Sequence, residues 1–331
     1  MKIKQKPEHF KVTEIPLYTP CGEGQHFYLL IRKEMLTTKD VVKILKDKFQ
    51  ISEKDIGYAG LKDKFAVTTQ YFSLSLGRNF EKDKIKEILN DLPFEVLKIE
   101  KHSNKLKVGH LVGNQFEILL TDVSKGEMDL AVKNFEKISK HGFYNFYGGQ
   151  RFGDKGDNAE IGFSILKGEK KVKDRFKQRM YLSAFQSDIF NKWIEYRFFE
   201  LKEILPVTGD LLISSKGGKS FFYEPDNEQQ KKELERGEIS IAGPMFGLKM
   251  NVSKNRASEI ENELLERLKI DLDQTLHKKI SGTRRPLRVF LLGEREIKVL
   301  GEKELKVRFS LPKGSYATTL IEQLKEENDA L

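Results

Sequence analysis

Residues 57–70 read Gly57-Tyr58-Ala59-Gly60-Leu61-Lys62-Asp63-Lys64-Phe65-Ala66-Val67-Thr68-Thr69-Gln70. A turn of small residues delivers one carboxylate between two lysines and then enters a β-branched run. Residues 67–76 (VTTQYFSLSL) alternate well enough to predict a strand, which puts Asp63 at a strand entrance. Gly57 and Gly60 predict close approach of backbone or ligand. Taken alone, a Lys-Asp-Lys triplet is far more often ordinary solvated surface.

On the N-terminal side, residues 10–15 and 26–32 predict short strands around a turn-rich 16–24. Thr37 or Thr38 then caps a helix whose Val41, Val42 and Leu45 share a face. On the C-terminal side, Ile85, Ile88, Leu89 and Leu92 mark a second helix, residues 94–100 and 114–121 two more strands, and residues 127–141 another helix. Alternation of this kind predicts an α+β domain around a mixed sheet.

Residues 167–177 (KGEKKVKDRFK) are nearly all charged, the composition of a flexible boundary. A helix at 181–201 follows, striped with Leu182, Phe185, Ile189, Phe190, Trp193, Ile194 and Phe198. Strand fragments at 210–214 and 220–223, a loop at 242–247 (AGPMFG) and a helix at 257–268 complete that unit. Strand alternation returns in PLRVFLL and ELKVRFSLP, ahead of a helix at 316–327. The pattern predicts a discontinuous domain, 1–170 and 286–331, interrupted by an insertion at 171–285.

The 331 residues are enough for one large or two medium cores. A single cysteine, Cys21, excludes an internal disulfide and any multi-cysteine metal site. The six histidines (9, 26, 102, 110, 141, 277) show no metal-ligand spacing. No signal peptide and no run of about eighteen apolar residues is present, so a cytoplasmic protein without membrane attachment is expected. Gly148 to Gly153 is followed by Asp154 rather than Lys, which excludes a phosphate loop. No nucleophile elbow or dinucleotide fingerprint occurs, so the chemistry is expected to need no cofactor. The formal charge of +9 favours a polyanion partner.

Three constellations remain. Residues 145–153 (NFYGGQRFG) join aromatics, an amide and a guanidinium. Aromatic faces such as Tyr147 and Phe152 stack on a flipped base while Asn145, Gln150 and Arg151 read its edge or grip phosphate, although aromatics also plug cores. Arg284, Arg285 and Arg288 in SGTRRPLR suit phosphate forks or a solvated charge run. Residues 311–318 predict a strand-to-helix turn with Ser315 as cap.

Here a specific resemblance emerges. Gly-Leu-Lys-Asp-Lys-x-Ala-x-Thr-x-Gln at 60–70 resembles the signature of the TruD family of tRNA pseudouridine synthases. GHLVGNQFEI at 109–118, NFYGGQRFG at 145–153, YLSAFQSDIFN at 181–191, SGTRRPLR at 281–288 and FSLPKGSYAT at 309–318 resemble that family in the same order. The resemblance implies a pseudouridine synthase core around a mixed, mainly antiparallel sheet, interrupted by a TruD-specific α/β insertion. It implies that Asp63 is the catalytic aspartate, that Glu14 lies at the site's rim, and that Asn145 lies near the target nucleotide. The family usually reads Asn-Tyr-Phe-Gly where this chain has Asn145-Phe146-Tyr147-Gly148, so Tyr147 is the ring expected to stack on uracil.

The expected activity is conversion of a specific tRNA uridine, position 13 of the D-arm, to pseudouridine, with tRNA as partner and no obligate protein partner. Lys62, Lys64 and Arg151 are candidates for the basic residue beside Asp63. The rival reading is a non-catalytic RNA-binding or RNA-chaperone protein, which has no reason to hold an acid against phosphate.

Overall fold

The computed structural model describes residues 1–77, 80–215, 218–271 and 280–326. In chain order the elements are β1 (Phe10–Pro16), β2 (His26–Glu34), α1 (Thr38–Phe49), β3 (Ile56–Tyr58), β4 (Val67–Ser75), α2 (Lys82–Ile88), β5 (Phe94–His102), β6 (Leu111–Leu120) and α3 (Lys125–His141). There follow β7 (Phe143–Tyr144), α4 (Asn158–Lys167), α5 (Arg175–Ile194), β8 (Leu211–Ser214), β9 (Phe221–Phe222), α6 (Glu228–Glu235) and β10 (Ile239–Met245). The chain ends with α7 (Asn255–Arg267), β11 (Thr283–Pro286), β12 (Arg288–Val289), β13 (Leu292–Gly301), β14 (Glu304–Pro312) and α8 (Ala317–Lys325). His277 and residue 327, the end of the last expected helix, lie outside the described residues.

Two compact units form, Met1–Val132 with Leu291–Gly314, and Lys133–Phe290 with Ser315–Leu331. The boundaries expected near 170 and 285 both fall inside the second unit, and the C-terminal return is divided between the two.

The first unit is built on an eight-stranded sheet in the order β13-β14-β6-β1-β4-β2-β5, with β3 beside β4. It is the expected mixed, mainly antiparallel sheet: β1 runs parallel to β4, and the other pairs are antiparallel. One edge of β4 is shared, with β1 along residues 67–69 and β3 along residues 72–74. The chain between β3 and β4, which carries Asp63, therefore leaves and re-enters the sheet at one strand. Alternation along β1 buries Phe10, Val12 and Glu14 on the same face. Helix α1 starts where the sequence indicates, with Thr37 and Asp40 closing a reciprocal capping box, and its Val41, Val42 and Leu45 join Leu29, Ile31, Phe72 and Leu74 in the core.

In the second unit α5 lies at the centre of a core that includes Phe185, Phe190, Trp193, Phe198, Ile241 and Leu264. The four-stranded sheet β11-β10-β8-β9 and the β12-β7 pair belong to this unit. Residues 242–247, expected as a loop, are mostly strand. A Cβ on Gly243 would lie 2.5 Å from Trp193, so glycine here marks close packing of strand against ring. The charged stretch expected as a flexible boundary is the turn of a helix hairpin. Gly168 closes α4 in a left-handed conformation, and the Asp174 carboxylate caps α5 by accepting from the Phe176 and Lys177 amides.

Candidate active site

The Asp63 loop is clamped by buried polar groups. Thr38 Oγ1 accepts from the Lys62 amide at 2.9 Å and donates to Gln70 Oε1 at 2.9 Å, while Gln70 Nε2 donates to the Gly60 carbonyl at 3.1 Å. Lys33 reaches from β2, donating to the carbonyls of Leu36 at 2.5 Å and Asp63 at 3.2 Å. Thr38 and Gln70 are fully buried and Lys33 is nearly so. Gln70 in the signature is therefore a loop clamp. Gly57 is required by packing, since a Cβ there would meet the Leu106 carbonyl oxygen at 2.2 Å, whereas a Cβ on Gly60 would make only ordinary contact with Lys62 Nζ at 4.0 Å.

The Asp63 side chain is accessible and its Oδ2 accepts from Lys4 Nζ at 2.6 Å. Lys4 also lies 3.9 Å over the Phe10 ring, which fixes the ammonium against β1. Within this unit, neither Lys62 nor Lys64 makes that contact. Lys62, the chain neighbour, points its Nζ away to Glu14 Oε2 at 3.0 Å and Asn114 Oδ1 at 2.6 Å. Glu14 and Asn114 are cross-strand partners on β1 and β6, so one buried lysine ties two strands to the loop. Burial raises the Glu14 carboxyl above its ordinary range, partly opposed by Lys62 and by the Tyr71 amide. Burial likewise lowers the Lys33 ammonium to about 8 although Asp63 and Asp40 oppose the shift. Lys64 is exposed.

In the second unit, the 145–153 stretch leaves β7 and includes a short 3-10 turn, Gly149–Phe152. Asn145 is buried, donating to the Pro286 carbonyl at 2.9 Å and accepting from Arg285 Nη2 at 2.6 Å. Arg285 sits 4.0 Å over the half-buried Tyr147 ring, and burial lowers its guanidinium. The Tyr147 backbone exchanges hydrogen bonds with Asn191 of α5, at 2.8 Å to Oδ1 and 3.0 Å from Nδ2. Arg151 is held on the same helix by Ser183 and, at 3.0 Å, Ser187. Gln150 is exposed and Phe152 half-buried.

The three arginines separate. Arg285 belongs to this aromatic platform. Arg284, expected to bind RNA, is buried in a fork with Glu261 at 2.5 and 3.2 Å and also donates to the Asn251 carbonyl, contacts that brace the interior. Arg288 donates to the His141 carbonyl at 3.1 Å and lies over Tyr144.

Sequence reasoning missed Lys4 and Lys33. Lys4 is one of three lysines in the first six residues, and only the pairing of β1 with β4 and β6 sets the neighbourhood in which it meets Asp63. Lys33 carried a readable signal, a lysine in the inward phase that otherwise holds Phe27, Leu29 and Ile31.

The profile of the family described as tRNA pseudouridine synthase D (TruD) matches residues 1–176 and 170–324. The chain belongs to the TruD family. A tRNA pseudouridine synthase D of Thermus thermophilus is 37% identical over 98% of this chain and 88% of the relative. One from an Anaeromyxobacter species is 36% identical over 97% of this chain and 91% of its own. A solved TruD-named structure from Methanosarcina mazei shares the fold, with a TM-score of 0.78, 23% identity, and coverage of 99% of this chain and 94% of that one. TruD membership makes the chain a tRNA pseudouridine synthase, an isomerase. Among the described residues no helix is long and apolar enough to cross a membrane.

Proposed function

We propose that this TruD enzyme isomerises uridine 13 in the D-arm of tRNA, with Asp63 as the catalytic carboxylate. The observation that carries the assignment is Asp63 itself: an accessible carboxylate, paired with Lys4 at 2.6 Å, on a loop clamped from three sides. A surface aspartate of no consequence would not need that scaffold. Isomerisation breaks the N1–C1′ bond and forms C5–C1′, the C5 proton being lost and N1 regaining one, so no oxidant or cofactor enters. Asp63 attacks C1′ as a glycosidase nucleophile does, or removes a sugar proton to give a glycal.

Extrusion of the base costs a few kcal/mol, and stacking on Tyr147 returns about 1 to 3 kcal/mol. Asn145, Gln150, Arg151 and Phe152 are assigned to nucleotide binding and Arg288 to phosphate. Glu14, Lys62 and Lys64 are assigned to substrate binding, Glu14 at the rim of the site with Lys62 as its buried partner. Residues 171–285 are assigned to the insertion domain, a reading favoured by α5, α6 and α7 and by strands β8, β9 and β10 within that stretch.

The test is Asp63→Asn, assayed on tRNA by site mapping of pseudouridine and by tRNA binding. Product at uridine 13 is expected to vanish while binding survives. Normal turnover in the variant would overturn the assignment, and product elsewhere would overturn the position.

A further inference from the structure

The turn of the α4–α5 hairpin concentrates the charge of the chain. Residues 167–180 hold seven cations and two carboxylates, a surplus of five in a chain whose total is +9. Of the carboxylates, Glu169 pairs with Lys167, and Asp174 is occupied in capping α5. Lys170, Lys171, Lys173, Arg175, Lys177 and Arg179 are all exposed, and none makes an ion pair among the described residues. Amid them Phe176 projects with 74% of its surface in water. An aromatic left that bare has a cost in apolar exposure that no contact within the fold offsets.

The patch shares its helix with the aromatic platform. Ser183, Ser187 and Asn191 of α5 hold Arg151 and Tyr147, and Arg175 begins the same helix. Eight residues of helix separate Arg175 from Ser183, about 12 Å at 1.5 Å per residue. That is the reach of a few nucleotides, along one continuous element.

We infer that the α4–α5 turn is a docking surface for the phosphodiester backbone of the RNA substrate, with Phe176 as a stacking contact for an unpaired base. The inference rests on the proposed tRNA activity for the identity of the polyanion. Unpaired cations neutralise phosphates and release counterions, and an interspersed aromatic gives sequence-tolerant grip. The surface contributes affinity and leaves the chemical step alone.

The experiment compares the wild-type enzyme with a Lys170→Gln/Lys171→Gln/Lys173→Gln/Lys177→Gln variant and with Phe176→Ala. An unmodified tRNA transcript is titrated over a range of salt, and vesicles of anionic phospholipid serve as a second polyanion. The quadruple variant is expected to bind tRNA at least tenfold more weakly, with a salt slope shallower by about 0.7 to 0.9 per lost phosphate contact. Its kcat at saturating tRNA is expected to equal wild type. Phe176→Ala is expected to lose about tenfold in affinity with an unchanged salt slope. Wild-type affinity and slope in the quadruple variant would overturn the inference, as would loss of vesicle binding with tRNA binding intact. An unchanged thermal midpoint separates these effects from misfolding. Absence of tRNA modification by the wild-type enzyme would instead remove the functional reading, a result independent of the variant-to-wild-type ratio.

Discussion

Lys62 Nζ lies 3.0 Å from Glu14 Oε2, with both side chains almost fully buried, so the lysine adjacent to Asp63 in sequence serves a different carboxylate. Removing one member of such a pair leaves an uncompensated charge in the interior. Lys62→Met is therefore expected to cost about 3 to 5 kcal/mol of stability, read as a lowered denaturant midpoint. Glu14→Gln in the same background should recover much of it. A Lys62→Met protein as stable as wild type would refute the buried pair.

Lys4→Met is expected to separate stability from rate. The Lys4–Asp63 pair is partly open to water, with side-chain exposures of 18% and 40%, and pairs of this kind contribute about 1 kcal/mol or less. Misplacement of a reacting group by an ångström costs about a hundredfold. Single-turnover pseudouridine formation should fall by about that factor while tRNA affinity and the unfolding midpoint stay close to wild type, and Lys4→Arg should restore part of the rate.

Lys33 gives a pH signature. Its ammonium is lowered to about 8 in the fold from 10.5 when solvated. Between those values the unfolded chain binds the proton and the folded chain does not, so stability from this group rises with pH. Set against Lys33→Met, the wild-type protein should gain about 2 kcal/mol between pH 8 and 10. A constant difference across that window would show that the lysine does not titrate there.

Tyr147→Phe keeps the ring under Arg285 and loses only the hydroxyl, which donates to Met245 Sδ at 3.7 Å and also hydrogen-bonds the Arg285 guanidinium. Its kcat/KM is expected to match wild type within a few fold. Tyr147→Ala removes the platform, and kcat/KM is expected to fall by about 10- to 100-fold, the equivalent of 1 to 3 kcal/mol of stacking. Equal loss in both variants would assign the role to the hydroxyl instead.

Much of this could be read from residue order. The alternation in β1, β2 and β4, the Thr37 cap and the signature around Asp63 are local patterns, and each folds as its periodicity dictates. The partner of Asp63 was not legible, because proximity in sequence favoured Lys62 and Lys64 while strand pairing brought in Lys4 from 59 residues away. Arg284 and Arg288 look alike as letters, and only Glu261 in α7 reveals that one of them is internal. The strand at Ile239–Met245 was masked by its glycine and proline, whose meaning depends on Trp193 lying beside them.

The shared edge of β4 also sets when the enzyme becomes active during folding. The Asp63 neighbourhood needs Lys4 and Glu14 from the start of the chain, Asn114 from β6, and a β6 whose other edge is closed by β14 at residues 304–312. Closing loops of that length is slow compared with forming the α4–α5 hairpin. After dilution from denaturant, helical signal should recover first, and pseudouridine formation only after the last strand has joined the sheet.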